Sequence, residues 1–500
     1  MIKVLLRNSV SNVTVLFIRV MIAFIMTPII VRSLGNYNYG IWDIVMAIIG
    51  YMGILDIGIQ PAITKYVAQY NALGNKKKLN SIYSSSLPLM ASVGVICFLV
   101  FCALALIAPD RIEQNVTNGT RYVLFFIIIG IQTLITFPGY IFQCFHFGFQ
   151  RYHICNFVSI VTMLFGNTIL FFILQKGGGL LSLVTITASM AYVRSISYWI
   201  LLRLDKFGGF RFFMQYFSWE TLKELANFGF KILIGGVAGR ISFYLDSILI
   251  GGFLGPTMVT FYAIPRNFVN TIFNVVPAIT QSFMPFFSEL DSLNQRTMAE
   301  QVYLVASRYV LGLAFLLAIE LYFVGIPFLR IWIGPEYAER GRLVLYFLLF
   351  AKLYTVSPFQ ARYLTAIGRH IIYVKFGWYM TIANIGLSVI FLRFWGIAGV
   401  ALGALTSFVI FYPFIFRAAC KYLGVSIGAY LKKVLVPQLF PSIILIVSLW
   451  ILSSAFLLNS YYTILLIGGL SSLLYVIAFF LFAVSQDERK VVITKMHSII

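Results

Sequence analysis

The stretch SVSNVTVLFIRVMIAFIMTPIIV, residues 9–31, decides the fold. A helix of this length rises about 35 Å, enough to cross a hydrocarbon core about 30 Å thick. One charge interrupts it: Arg19, near the centre. A guanidinium at that depth costs roughly 2.5–3.5 kcal/mol when it faces lipid, so such residues normally face water or an anion. A similar run carries Arg240 near its own centre, about 220 residues later.

Composition extends the reading to the whole chain. Of 500 residues, 60% are hydrophobic and 11% charged, and the mean hydropathy is +0.92. Soluble domains carry about 25% charged residues, so a soluble fold is excluded. The net charge of +21 does not point to nucleic acid. Most Lys and Arg fall in short loops, where they set membrane topology. The 29 Tyr and 48 Phe suit a lipid-facing surface and interfacial belts. Cys97, Cys102, Cys144, Cys155 and Cys420 are odd in number and lie in or beside apolar runs, without disulfide or metal-ligand spacing. No cleavable signal peptide is read at the N-terminus. Glycosylation patterns at 115–117 and 118–120 are taken as chance matches.

The expected fold is an all-α integral membrane protein of about fourteen transmembrane helices. They are placed near 9–31, 40–66, 82–108, 122–145, 154–174, 180–203, 230–254, 257–286, 302–326, 343–366, 371–393, 396–418, 437–457 and 462–484. With the N-terminus in the cytoplasm, about 21 of the 37 basic residues collect in inner segments and roughly 8 in outer loops. The even count returns the C-terminus to the cytoplasm.

Two polar connections divide the chain. The expected domains are an N-terminal six-helix lobe at 1–203, a cytoplasmic linker at 204–229 and a C-terminal six-helix lobe at 230–418. A linker, the last helix pair and a cytoplasmic tail occupy 419–500. Trp219, Leu222 and Leu225 repeat at threes, suggesting a helix on the inner membrane surface at 218–228. Pro61-Ala62-Ile63-Thr64 recurs as Pro277-Ala278-Ile279-Thr280. Leu34-Gly35 corresponds to Leu254-Gly255, and Asn75 to Asn294. Six helices per repeat make both halves run the same way, so they are expected to be pseudo-symmetric about the membrane normal, with the substrate between them.

The deep cations are Arg19, Arg194, Arg240, Arg266 and Lys352; the deep acids are Asp56, Asp246 and Glu320, with Asp43 near the outer interface. Facing lipid, five such cations would cost about 12–18 kcal/mol. Three acids do not neutralise five cations, which favours a hydrated, positive cavity. Pairing inside a lobe is the competing arrangement: Asp246 with Arg266, and Asp56 with Arg19 or Arg194. The cavity reading is preferred for Arg19 and Arg240, which occupy equivalent places in the repeats. Arg308, Arg362 and Lys375 lie nearer helix ends, where their stems snorkel. Repeated Pro61 and Pro277 are candidate bending points. His146, His153, His370 and His497 are scattered, and the Lys-Gly-Gly-Gly at 176–179 lacks the phosphate-loop pattern. No enzyme and no cofactor are expected.

The strings RSLGNYNYGIW at 32–42 and LDIGI at 55–59 resemble the N-terminal signature of the polysaccharide-biosynthesis (O-antigen, oligosaccharide) flippases. These share a superfamily with the multidrug/toxin extruders and lipid II flippases. Leu245-Asp246-Ser247 and Phe253-Leu254-Gly255 agree with the likeness. It implies two six-helix lobes around a cationic cavity, moving a polyprenyl-diphosphate-linked oligosaccharide to the outer leaflet by alternating access. Arg19, Arg240 and Lys352, with Arg266 and Arg194, would then hold the diphosphate, and the last helix pair the polyprenyl tail. Asp56, Asp246 or Glu320 would bind a coupling H⁺ or Na⁺. Membrane lipids are the other expected partners, and a monomer is the default. A cation-drug exporter on the same fold predicts an acidic cavity instead. A polymerase or ligase needs larger outer loops than these.

Overall fold

The computed structural model describes residues 2–54, 56, 58–112, 119–204, 214–280, 283–355, 358–486 and 488–490. Residues 115–118 of the two glycosylation patterns fall outside them, as does His497. Among the described residues there are helices and turns and no strand. In chain order the helices are α1 (Ile2–Met52), α2 (Ile59–Ala72), α3 (Lys76–Ile112), α4 (Gly119–Gly148), α5 (Tyr152–Gln175) and α6 (Leu180–Leu204). There follow α7 (Trp219–Leu254), α8 (Pro256–Phe273), α9 (Val275–Thr280), α10 (Phe283–Ser292), α11 (Arg296–Trp332) and α12 (Pro335–Arg340). The series ends with α13 (Arg342–Thr355), α14 (Pro358–Ala366), α15 (His370–Leu423), α16 (Ile427–Tyr430), α17 (Val436–Ala455) and α18 (Tyr461–Ala478).

Among the described residues, ten stretches are long and apolar enough to cross a membrane. Two of them are double: α1 is interrupted at Gly35 (φ 72°, ψ 167°) and α15 at Gly396 (φ 55°, ψ −135°). Both conformations lie outside the region open to residues with a Cβ. Three expected spans are not single helices. The 40–66 span breaks between α1 and α2, the 257–286 span into α8, α9 and α10, and the 343–366 span into α13 and α14. Fourteen is reached only by joining such fragments into single crossings, and that count stays an expectation.

The chain forms two compact units, Met1–Arg240 and Ile241–Ile500, whose border falls inside α7. In the first unit α4 is the central helix, packed by α2, α3 and α6. Phe125, Ile129, Phe137, Ile141 and Phe145 on it are all buried. The beginning of α7 belongs here for a physical reason. Thr221, Leu225 and Gly229 are buried at a four-residue spacing, and Leu225 packs with Ile63, Tyr66 and Val67 of α2. Ser81 and Thr221 share a hydrogen bond of 2.9 Å, and the Ser218 N–H donates to Ser85 Oγ at 3.0 Å. The expected separate surface helix is therefore the first three turns of α7, with Trp219 exposed. In the second unit α8 is buried along most of its length. α17 and α18 pack on α11 through Tyr475, which donates to the Gly312 carbonyl at 2.9 Å, and Gln438, which donates to the Arg308 carbonyl at 2.9 Å.

The internal repeat extends to hydrogen bonds. Gly35 and Gly255 share one rare conformation (φ 72° and 88°). After α2, Gly74 (φ 65°) is followed by Asn75 N–H to Tyr70 O at 3.0 Å; after α10, Asn294 (φ 54°) is followed by Gln295 N–H to Leu290 O at 2.9 Å. Asn294 thus corresponds to Gly74, one residue from the Asn75 that the sequence suggested. A third pair escaped the sequence: Arg151 N–H to His146 O at 2.8 Å after Gln150 (φ 59°), and Arg369 N–H to Leu364 O at 2.7 Å after Gly368 (φ 71°).

Gly58 and Gly229 meet backbone to backbone: a Cβ on Gly229 would stand 3.1 Å from the Gly58 carbonyl carbon, and one on Gly58 would fall on the Gly229 carbonyl. Such small-residue contacts allow membrane helices to approach closely. Gly58→Val should therefore lower the melting temperature of the detergent-purified protein by the equivalent of about 1–3 kcal/mol or more. Gly239→Ala, whose new Cβ would meet nothing within 4 Å, should leave it unchanged.

Candidate functional site

The first unit gathers its charges at the break between α1 and α2. Helical bonding ends with Gly53 N–H to Ile49 O at 2.9 Å, and Ile54 N–H returns to Tyr51 O at 2.9 Å. The chain turns, and the Asp56 carbonyl accepts the Ile59 N–H at 3.1 Å as α2 begins. This places a buried carboxyl at the start of a helix, where the helix dipole favours negative charge. Gln60, one turn on, donates to Asp56 Oδ2, while Oδ1 accepts no hydrogen bond from the described residues.

Arg240 comes from α7 to the same place. Its Nη1 lies 2.7 Å from the point a Cβ on Gly53 would occupy, so the guanidinium ends against the backbone there. From there its charge acts on Asp56. Tyr140 of α4 lies within electrostatic reach of Asp56, Arg240 and also Arg194 of α6. Two guanidiniums and one carboxyl, from two helices and a turn, therefore all act electrostatically on one tyrosine hydroxyl. Such a cluster carries one excess positive charge and suits an anion with several oxygens, because guanidinium forks match phosphate geometry.

In the second unit Asp246 and Ser247 of α7 bond to Tyr262 and Arg266 of α8. Tyr262 donates to Asp246, and Arg266 Nη1 donates to Ser247 Oγ at 2.6 Å. The guanidinium also lies 5.8 Å from the Tyr262 ring centroid. All four residues are buried. Lys352 is half-buried on the last turn of α13. Glu320 of α11 stands apart from these, accepting a hydrogen bond from Ser472 of α18 at 2.9 Å. Asp43 is buried on α1. Arg19 is exposed on α1, with no ion pair or hydrogen bond among the described residues.

Arg308 is ion-paired with Glu488, beyond α18, and its side chain is only 11% exposed. Lys375 lies over the Tyr379 ring at 5.8 Å, one helical turn away. Among the neighbours that charge-counting passed over, Gln60 and Tyr262 had a legible signal. Each stands four residues from a singled-out charge, Asp56 and Arg266, on one helical face. Ser247 stood in the string Leu245-Asp246-Ser247, while Tyr140 had no signal, since only packing brings it in.

The family model described as "Polysaccharide biosynthesis protein" matches residues 5–291. A putative O-antigen transporter of Shigella flexneri is 22% identical over 375 residues, covering 71% of this chain and 84% of the relative. An uncharacterized membrane protein, EpsK, of Bacillus subtilis is 22% identical over 344 residues, 67% of each. Among solved structures, an inward-facing multidrug resistance MATE family transporter of the MOP superfamily superposes with a TM-score of 0.66 at 13% identity. The match covers 85% of this chain and 99% of that one. The lipid II flippase MurJ, inward closed, gives 0.64 at 13% identity, covering 95% and 98%. At such identities these structures establish the fold alone.

The Asp56–Arg240 neighbourhood is testable by a double-mutant cycle. Arg240→Gln and Asp56→Asn should each lower thermal stability in detergent, and the double variant should lose less than the sum of the two. Additive losses would show that the two charges do not interact.

Proposed function

We propose a function from one premise: the chain belongs to the polysaccharide biosynthesis protein family. It translocates a polyprenyl-diphosphate-linked oligosaccharide from the inner to the outer leaflet, by alternating access, for surface polysaccharide synthesis. One observation carries this reading: at a break in a membrane helix Arg240 stands against Gly53 and acts on Asp56, and both act with Arg194 on Tyr140. The diphosphate is the part of such a substrate that needs guanidinium partners inside an apolar protein. Arg19 and Arg240 make the primary contacts, with Arg194, Arg266 and Lys352 as further substrate-binding cations. The O-antigen transporter description of the Shigella relative supports the substrate class.

Coupling to H⁺ or Na⁺ is assigned to Asp56, Asp246 or Glu320. Glu320 is the preferred site: its hydrogen-bond partner is a hydroxyl, whereas an arginine charge acts on Asp56 and Asp246 lies next to the Arg266–Ser247 bond. The protein sits in the cytoplasmic membrane with both termini inside and acts as a monomer on a lipid-linked substrate. Its working division remains six helices in 1–203, the linker 204–229, six helices in 230–418, and the final pair with its flanks in 419–500.

Export of small cationic drugs on the same fold is the second reading. The cation excess beside Asp56 opposes it, since a cationic solute would meet repulsion. Replacing Arg19 and Arg240 by Gln, singly and together, should leave protein levels unchanged. Surface polysaccharide should fall at least tenfold in the double variant, with lipid-linked units accumulating on the inner face. Normal surface polymer in that strain would overturn the assignment.

A further inference from the structure

Between α5 and α6 lies a groove of about 730 Å³, within the roughly 300–1,000 Å³ range of small-molecule sites. Its walls are almost wholly apolar. Phe157 and Val161 of α5 face Val193 and Ile200 of α6 across it, with Ser197 leaving space and His153 at one end. The helices are pinned on their inner side, where Tyr198 shares a hydrogen bond with Ser159 Oγ at 3.0 Å and donates to the Cys155 carbonyl at 3.2 Å. Beyond the groove they close again: a Cβ on Gly166 would stand 2.5 Å from Met190 Cγ. The groove is therefore shut at its deep end.

Its length identifies the occupant. From His153 to Thr162 the α5 backbone rises about 14 Å, roughly half of a hydrocarbon core about 30 Å thick. A transmembrane helix of a partner would need a contact about twice as long. A lipid chain from one leaflet needs no more than this. The charge at the mouth identifies the headgroup. Arg7 and Arg151 both act electrostatically on His153. Asn8 donates to the Gln150 carbonyl at 3.0 Å, which holds the start of α1 against the α4–α5 turn. Arg203, stacked 5.5 Å from the Trp199 ring, marks the same interface at the end of α6.

We propose that this groove binds one hydrocarbon chain of an acidic phospholipid, with the phosphate at the Arg7–Arg151 mouth. The site is separate from the Asp56 cluster, and its occupancy is read independently of surface polymer. The test is native mass spectrometry of the full-length protein with added phosphatidylglycerol or phosphatidylcholine. The wild type should retain phosphatidylglycerol at least fivefold better. Arg7→Gln should remove about fivefold of that preference, as expected for one surface cation. Val193→Trp, which fills the groove from an exposed wall position, should reduce retention of both lipids about tenfold. Should that variant lose monodispersity, Phe157→Ala, 68% exposed, takes its place and should also weaken retention. Equal retention of the two lipids, undiminished retention in the groove variants, or an adduct of polypeptide mass would each overturn the proposal.

Discussion

The contact between Gly58 and Gly229 is the constraint on which the first unit's chemistry depends. It sets the beginning of α7 directly against the start of α2. Arg240 follows eleven residues later, about three helical turns, and so emerges on the same face of α7 as Gly229. Side chains on a helix lean toward its N-terminus, which directs the guanidinium back along α7 toward Gly53. Its Nη1 ends against Gly53, 2.7 Å from where a Cβ would stand. Two glycines thus set the geometry for one arginine, and a third lies at its tip. The carboxyl that receives its charge sits between two of them, in a turn that a continuous helix would not provide.

The repeat governs backbone and leaves charge free to differ. Gly35 and Gly255, Gly74 and Asn294, Gln150 and Gly368 hold matching turns. α2 and α9 both begin two residues before their repeated proline. Charges follow this symmetry poorly. When the two prolines are aligned, the counterpart of Asp56 is Ile272, an apolar residue near the end of α8. The second unit instead draws its buried acid, Asp246, from α7 and binds it to Tyr262. One repeated scaffold therefore carries two different polar arrangements.

Legibility in the sequence follows the same split. Hydropathy identified the apolar crossings because membrane helices must satisfy every backbone group internally, and that demand leaves a compositional mark. The deep arginines were visible because nothing around them in the chain was charged. The break at Gly53–Gly58 was not visible: its residues are apolar enough to read as helix, and only the conformation shows the turn. α7 runs unbroken from Trp219 to Leu254, so the expected surface helix and span are one helix, with Gly229 a contact point inside it. The partner of Arg308 was not legible, because Glu488 lies 180 residues away.

On the proposed transport reading, the cluster's composition also bears on where coupling occurs. A cation bound at Asp56 would cancel the one negative charge beside Arg194 and Arg240, and so strengthen their attraction for a diphosphate. By linkage the substrate would then favour the cation equally. An exchange cycle needs the reverse, with ion and substrate excluding one another. Asp56 is therefore better suited as a counter-charge that keeps the arginines placed and partly neutralised while no anion is bound. Glu320, joined to α18 by Ser472 and outside this cluster, carries no such conflict. Its position links a titratable group to the packing of α11 against the last helix, so that ion binding there would act through helix packing rather than through the field at the diphosphate.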